Sequence, residues 1–252
     1  MTALDLSHDA FLGGQLHLYQ PRTGYRAGVD PVLLAASVTA KPGQSVLELG
    51  CGAGAAILCL GARVPGLQLT GLEMQENYAD LARRNATEND IALDVVTGDL
   101  ADMPGEITQH RFDHVIANPP YFDRTAGLSA RDPGREAALG EVTPLAQWLR
   151  AASRRAAPGG FVHVIHRADK LPDLLAHAMG HLGSIEVQPL AARTGRPASL
   201  VLMRGRKGGR AAFRLYAPWI LHAGDSHDGD RENYSDRTAL ILRHGASLPF
   251  GG

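Results

Sequence analysis

An α/β domain built on a mostly parallel sheet, with helices on both faces, is the fold class the sequence predicts, and three observations predict it. Short apolar runs alternate with segments of helical composition along most of the chain. Several of those runs are apolar throughout, as strands covered on both faces must be. A glycine-rich turn, Gly50-Cys51-Gly52-Ala53-Gly54, follows one such run directly and leads into a helical stretch, which is one complete β–turn–α step. A length of 252 residues suits one domain of ordinary size with a small appendage. Hydrophobic residues at 44% and charged residues at 20% match a globular chain and exclude the disordered and fibrous classes.

The elements follow in order. Gln15–Tyr19 alternates as a short strand, and Asp30-Pro31 ahead of Val32–Val38 predicts a helix capped by Asp30 with proline in its first turn. A new unit begins near Lys41-Pro42-Gly43. Strand Ser45–Leu49 runs into the glycine turn, and helix Ala55–Val64 then ends at Pro65-Gly66. The pattern repeats as strand Leu67–Leu72, helix Asn77–Asn89, strand Leu93–Thr97, strand Phe112–Ala117, helix Thr143–Ala157, strand Phe161–Ile165 and helix Ala168–Leu182. Strands Ile185–Pro189 and Ala198–Met203 close the sheet, and Thr238–His244 forms a last short helix. Phe122–Gly140 is a long polar insertion, a length associated with function or mobility, and Asp225–Glu232 is an acidic, loop-like stretch. The expected division is an N-terminal extension over residues 1–40 packing on the domain, the main domain over 41–224, and a tail over 225–252.

Charge and cysteine content narrow the setting. The formal net charge is −1, but seven basic residues and no acidic one lie between Arg193 and Arg214. Cys51 and Cys59 are eight apart in apolar surroundings, which argues against a disulfide framework or a zinc site and for a reducing compartment. No run approaches the roughly 18 apolar residues of a membrane span, so a cytoplasmic protein without a membrane partner is expected. No metal is expected either: His163 and His166, three apart in a strand, point to opposite faces.

The chemistry gathers at the predicted carboxyl ends of strands, the edge where open parallel sheets bind ligands. Gly50, Gly52 and Gly54 bring backbone to a helix start, where unpaired N–H groups favour a polar or anionic ligand. Gly50, Gly52 and Ala55 also satisfy the dinucleotide fingerprint, which keeps a nicotinamide-dependent oxidoreductase open as an alternative. Glu73, about 20 positions beyond the loop, stands where a carboxylate takes the two hydroxyls of a ribose. Asp99, after the next strand, is placed to accept from an adenine amino group. Taken singly, each carboxylate is also readable as a turn residue or a cap. In Asn118-Pro119-Pro120-Tyr121 two prolines fix two φ angles and remove two donors, leaving the Asn118 side-chain oxygen and the Pro119 carbonyl as rigid acceptors suited to a flat NH₂ group.

In this order Glu48-Leu-Gly-Cys-Gly-Ala-Gly54, Glu73, Asp99 and Asn118-Pro-Pro-Tyr121 resemble class I S-adenosylmethionine-dependent methyltransferases of the amino-methylating group. Leu18-Tyr-Gln-Pro-Arg-Thr-Gly-Tyr-Arg-Ala-Gly-Val-Asp-Pro-Val-Leu-Leu34 and Asn233-Tyr-Ser-Asp-Arg-Thr-Ala-Leu240 further resemble the bacterial tRNA adenine-N6 methyltransferases that act beside the anticodon of a valine tRNA. The resemblance spans about Leu12 to Leu240, but Ile91–Ile107 and the insertion at Phe122–Gly140 match no motif. It implies the Rossmann-like class I methyltransferase fold and S-adenosyl-L-methionine as cofactor, bound by Glu48, Gly50, Gly52, Gly54, Glu73, Asp99 and Asn118. It implies an acceptor site at Asn118, Pro119, Pro120 and Tyr121, with Tyr121 stacking on the target base. An RNA partner, a tRNA above all, would then meet Arg193, Arg196, Arg204, Arg206, Lys207 and Arg210 through its phosphates, with salt-sensitive affinity. Sister activities that share the acceptor motif, on a protein glutamine or on another base of rRNA or DNA, are the nearest alternatives.

Overall fold

The computed structural model describes residues 5–121, 143–224 and 233–252. A nine-stranded sheet forms its centre. Strands β3 (Ser45–Leu49), β4 (Gln68–Glu73) and β5 (Leu93–Thr97) run parallel in one direction across it, and β6 (Phe112–Ala117) and β7 (Ala156–Arg167) extend it from the other side of β3. Beyond β7 the sheet turns antiparallel through β9 (Ala198–Arg206), which separates β7 from β8 (Gly183–Ala191). The two-residue strands β10 (Arg214–Leu215) and β11 (Trp219–Ile220) both pair with β8. Outside this sheet, β1 (Leu6–Phe11) and β2 (Leu16–Pro21) make an antiparallel hairpin. The expected mostly parallel sheet is therefore present, with its antiparallel part confined to the two junctions that β9 makes.

Helices cover both faces, which explains the uninterrupted apolar strands. On one face α1 (Asp30–Ser37), α2 (Ala55–Arg63) and the C-terminal α7 (Asp236–His244) bury Leu33, Leu34, Ile57, Leu58 and Ile241 against Val46, Ile116 and Ile165 of the sheet. On the other, α4 (Gly105–Thr108), α5 (Leu145–Arg155) and α6 (Leu171–Ala178) pack Ile107, Trp148, Leu149 and Leu174 against Leu47, Val115 and Val162. Each such leucine or isoleucine contributes about 2 kcal/mol by leaving water. Leu12, Leu16 and Leu18 of the hairpin and Leu248 of the tail belong to the first cluster, so both ends of the chain share the core of the sheet.

Boundaries differ from expectation where proline or a side chain intervenes. Helix α5 starts after Pro144 and gives way to β7 at Ala156 without a loop, and α6 is shortened by a 3-10 turn at Ala168–Lys170. Asp30 does not cap its own helix: Val29 holds the N-cap position, and the Asp30 carboxylate is engaged elsewhere, as shown below. The glycine-rich start conceals β1, with Gly13 and Gly14 in the turn that joins it to β2. Helix α3 (Glu76–Glu88) presents Tyr78, Leu81, Ala82, Asn85 and Ala86 inward, the i, i+3/i+4 spacing of an amphipathic helix. The insertion at Phe122–Gly140 and the acidic stretch Asp225–Glu232 lie outside the described residues.

Candidate active site

Strand order reverses between β3 and β6, and the carboxyl ends of these neighbours form the crevice in which open α/β sheets hold ligands. The glycine loop lies there. Gly50 (φ 64°) and Gly52 (φ 54°) take left-handed backbone that side chains resist. Their surroundings differ. A Cβ at Gly50 would lie 2.5 Å from Cη2 of Trp148, whereas a Cβ at Gly52 would meet no atom within 4 Å. The loop thus rests on an indole at one glycine and opens on free space at the next.

Glu73, buried at the end of β4, holds this loop in shape. Its Oε2 accepts from the Gly52 amide at 2.9 Å and its Oε1 from the Gln75 amide at 2.9 Å. Each carboxylate oxygen keeps lone-pair capacity for a further donor, such as a ribose hydroxyl. Glu48 has a different place from the one its sequence position suggests. It is only 3% exposed, and its Oε2 accepts from the Ile57 amide at 2.9 Å, so it fastens the first turn of α2 to β3 beneath the loop. Burial, reinforced by the charge of Glu73 and opposed by the Ile57 N–H, pushes its carboxyl well above the usual carboxylate range. Asp99 stands exposed just beyond β5, where its Oδ1 accepts from the Ala101 amide at 2.8 Å in a local turn, leaving Oδ2 for a ligand.

Asn118-Pro119-Pro120-Tyr121 continues from β6 on the same edge, and a segment from the N-terminal region closes over both of its ends. The Asn118 amide nitrogen donates to the Tyr25 hydroxyl oxygen at 3.3 Å, and the Tyr121 hydroxyl donates to Asp30 Oδ2 at 2.7 Å. Tyr25 is held in turn by Tyr78 of α3, whose hydroxyl accepts from the Tyr25 amide and donates to its carbonyl, both at 3.1 Å. Tyr121 also meets the edge of His166, with ring centroids 5.1 Å apart. Burial, then the charge of Asp30 and the hydrogen bond to it, raises the Tyr121 phenol, which therefore stays protonated. His166 is pushed down to about 4 by burial and is neutral near neutral pH; its Nδ1 accepts from the Arg167 amide at 2.9 Å, which puts the proton on Nε2. Tyr25, Asp30 and His166 are thus neighbours of the acceptor motif that sequence reading did not assign to it. The contacts of Tyr25 and Asp30 join residues more than 90 positions apart, and no local pattern reports such a pairing. The separation of His163 from His166 matches expectation: His163 Nε2 instead lies 3.2 Å from His114 Nδ1, inside the sheet layer.

The basic run is divided by the antiparallel course of β9. Arg193 and Arg196 lie in the β8–β9 connection on the ligand edge. Arg193 is buried and donates to the carbonyls of Ala223 and Gly224, while Arg196 is exposed. Arg204, Arg206, Lys207 and Arg210 are carried to the opposite edge, because Arg206 pairs with Phe161 near the start of β7. There Arg204 pairs with Glu186 at 2.5 Å, Lys207 donates to the Ser153 and Ala156 carbonyls, Arg206 donates to the Gly159 carbonyl, and Arg210 is exposed. The basic run is therefore split between the two edges of the sheet.

Cys51 and Cys59 are buried free thiols, and among the described residues no cluster of three metal-ligating side chains occurs and no helix is long and apolar enough to cross a membrane.

With this geometry in view, comparisons with known proteins converge. The family model described as methyltransferase small domain matches residues 28–131. The chain is 32% identical over 179 residues to the tRNA1(Val) (adenine(37)-N6)-methyltransferase of Porphyromonas gingivalis, covering 68% of this chain and 69% of that one. It is 28% identical to the protein of the same name from Glaesserella parasuis, across 84% of this chain and 87% of that one. Among solved structures, a protein from Agrobacterium tumefaciens described as a predicted O-methyltransferase superposes with a TM-score of 0.70 at 25% identity, over 88% of this chain and all of that one. The Thermus thermophilus 16S rRNA N2 G1207 methyltransferase, solved with AdoMet and guanosine, shares the fold at a TM-score of 0.58 and 17% identity, over 81% of this chain and 51% of that one.

Proposed function

The chain belongs to the class I S-adenosylmethionine-dependent methyltransferases, in the family of the bacterial enzymes named tRNA1(Val) (adenine(37)-N6)-methyltransferase, and on that basis we propose that it methylates an exocyclic amine of RNA, namely adenine N6 in a tRNA. The observation that carries the reading is the meeting of two sites at one crevice: the Gly50–Gly54 loop with Glu73 on β3 and β4, and Asn118-Pro-Pro-Tyr121 on the adjoining β6. S-adenosyl-L-methionine fits the first. The open space at Gly52 lies beside a buried carboxylate suited to a ribose diol, and Asp99 stands beyond the neighbouring strand for a base amino group. When bound, the cofactor supplies an electrophilic methyl on sulfonium.

The chain's own residues then have a limited task. An aryl amine is a weak nucleophile because its lone pair is delocalised into the ring, but a sulfonium methyl needs neither a strong base nor a metal to be attacked. The Asn118 side-chain oxygen and the Pro119 carbonyl accept from the amine and favour the pyramidal nitrogen that develops during transfer. Holding that nitrogen in line with the methyl lowers the barrier further. Tyr121, fixed by Asp30 and His166, offers a ring for the target base, a contact of about 1–3 kcal/mol. The base enters unpaired, a condition that an anticodon loop meets without opening a helix. Of the basic run, Arg196 is the exposed member on the ligand edge and the one we assign to phosphate contact there. Arg204, Arg206, Lys207 and Arg210 reach RNA only where it extends round the molecule. The cytoplasm, where tRNA is matured, is the proposed setting.

The test is nucleoside mass spectrometry of unmodified tRNA after incubation with the protein and S-adenosyl-L-methionine. N6-methyladenosine is expected, and Asn118→Ala should lose it while still binding S-adenosylhomocysteine. Methylated glutamine in a protein substrate with no modified adenosine would replace this reading by its sister activity.

A further inference from the structure

The Asn118 amide has two chemically opposite ends, and only one of them serves the reaction. Its oxygen accepts from a target amine, whereas its nitrogen is itself a donor and would repel one. A half-turn about the last side-chain torsion exchanges the two at little steric cost, so a site that depends on this amide also depends on something that orients it.

We propose that Tyr25 is a positioning residue that orients the Asn118 amide, occupying its nitrogen so that the oxygen faces the acceptor amine; the inference rests on the methyltransferase reading above. Three observations support it. The Tyr25 hydroxyl oxygen receives the Asn118 nitrogen at 3.3 Å. Tyr25 is 51% exposed, too open for a packing role to explain the residue, while its backbone is fixed by two hydrogen bonds to Tyr78 and by the tight approach of Gly24 (φ 104°), where a Cβ would lie 3.2 Å from the Tyr78 hydroxyl. A phenol can donate as well as accept, so what remains is the direction of its proton. Burial and then the Glu48 and Asp30 carboxylates keep this hydroxyl protonated, and Asp30 also accepts the Tyr121 proton at 2.7 Å. With the Asn118 nitrogen as donor at 3.3 Å, the Tyr25 oxygen meets the amide with a lone pair and its proton lies elsewhere. Tyr25 and Asp30 thus hold the two ends of the Asn118–Tyr121 motif, and the phenol oxygen at the Asn118 nitrogen selects one amide rotamer.

Removing only the hydroxyl isolates the effect. In protein labelled with ¹⁵N at asparagine, the Asn118 side-chain NH₂ signal, assigned by its loss in Asn118→Ala, should shift in Tyr25→Phe. With tRNA as acceptor, kcat of Tyr25→Phe should fall at least tenfold, while KM for tRNA and the affinity for S-adenosylhomocysteine stay within about twofold. An unmoved Asn118 signal overturns the proposal whatever the activity, and so does a kcat within twofold of the parent or an equal loss of S-adenosylhomocysteine affinity. Should the parent protein make no N6-methyladenosine, the functional reading falls, and the Asn118 signal then decides the orientation claim alone.

Discussion

Gly50 and Gly52 both adopt positive φ, but only one of them borders protein, and substitution should separate their roles. Alanine at Gly52 bears the left-handed backbone cost of about 1 kcal/mol, and its methyl enters free space beside Glu73. Alanine at Gly50 bears the same backbone cost and also drives a methyl into Trp148, so about 3 kcal/mol is expected in all. Urea unfolding should therefore rank Gly50→Ala well below Gly52→Ala in stability. Calorimetry should show Gly52→Ala losing at least tenfold in affinity for S-adenosylhomocysteine. Unchanged affinity in Gly52→Ala would mean that the free space is not where the cofactor lies. At this scale the sequence located residues along one sheet edge but not what each side chain meets there. Glu48 was legible as a cofactor carboxylate and Asp30 only as a helix cap, because a one-dimensional spacing cannot tell a group that meets ligand or caps its own helix from one that meets the Ile57 amide or the Tyr121 hydroxyl.

Helix α3 shows how an element is joined to the site through two asparagines. The side chain of Asn85, fully buried, accepts from the Tyr19 amide at 2.8 Å and donates to the carbonyls of Tyr19 at 3.1 Å and Ala53 at 2.9 Å. Asn89, one turn later and partly exposed, repeats the pairing with His17, accepting from its amide at 2.9 Å and donating to its carbonyl at 2.7 Å. The hairpin is thus paired to asparagine side chains as it would be to another strand, and Asn85 carries the same tie to the glycine loop. Asn85→Ala strands three backbone groups at once and should cost about 3 kcal/mol, against about 1 kcal/mol for Asn89→Ala, where water replaces the lost partner. Equal losses in urea unfolding would refute this division. Strands β3 to β7 were legible because apolar runs of that length, punctuated by Pro-Gly and Gly-rich turns, have few other uses. The strand β1 was not: His8 and Asp9 break its apolar pattern, and its partner on the outer side is solvent and not a second layer. Its signal, Gly13-Gly14 ahead of Leu16–Pro21, was present in the turn and not in the strand.

At the scale of the molecule, His114, His163 and His166 are buried imidazoles among the described residues whose titration contributes to the response to acid. Burial pushes His114 down to about 4, with the neighbouring Asp113 opposing. Burial, then His114, Arg204 and Arg63, lowers His163, whose Nδ1 has no hydrogen-bond partner. His166 is likewise pushed down to about 4 by burial. In the unfolded chain each returns to about 6.5. Below that pH the unfolded state binds protons that the folded state refuses, so the stability these groups permit is complete above about 6.5 and is lost as pH falls toward 4, at up to about 1.4 kcal/mol per unit for each. Glu48 works in the other sense: its carboxyl is raised by burial and by Glu73, so its contribution falls as pH rises above the ordinary carboxylate range. Three imidazoles against one carboxyl leave acid destabilising between 6.5 and 4. The urea midpoint should therefore drop steadily from pH 7 to pH 5, and His114→Gln, which can still meet His163 and Gln44, should flatten the slope. A midpoint that holds constant over that interval would show that these rings are hydrated in solution, and with them the edge on which Tyr121 rests against His166.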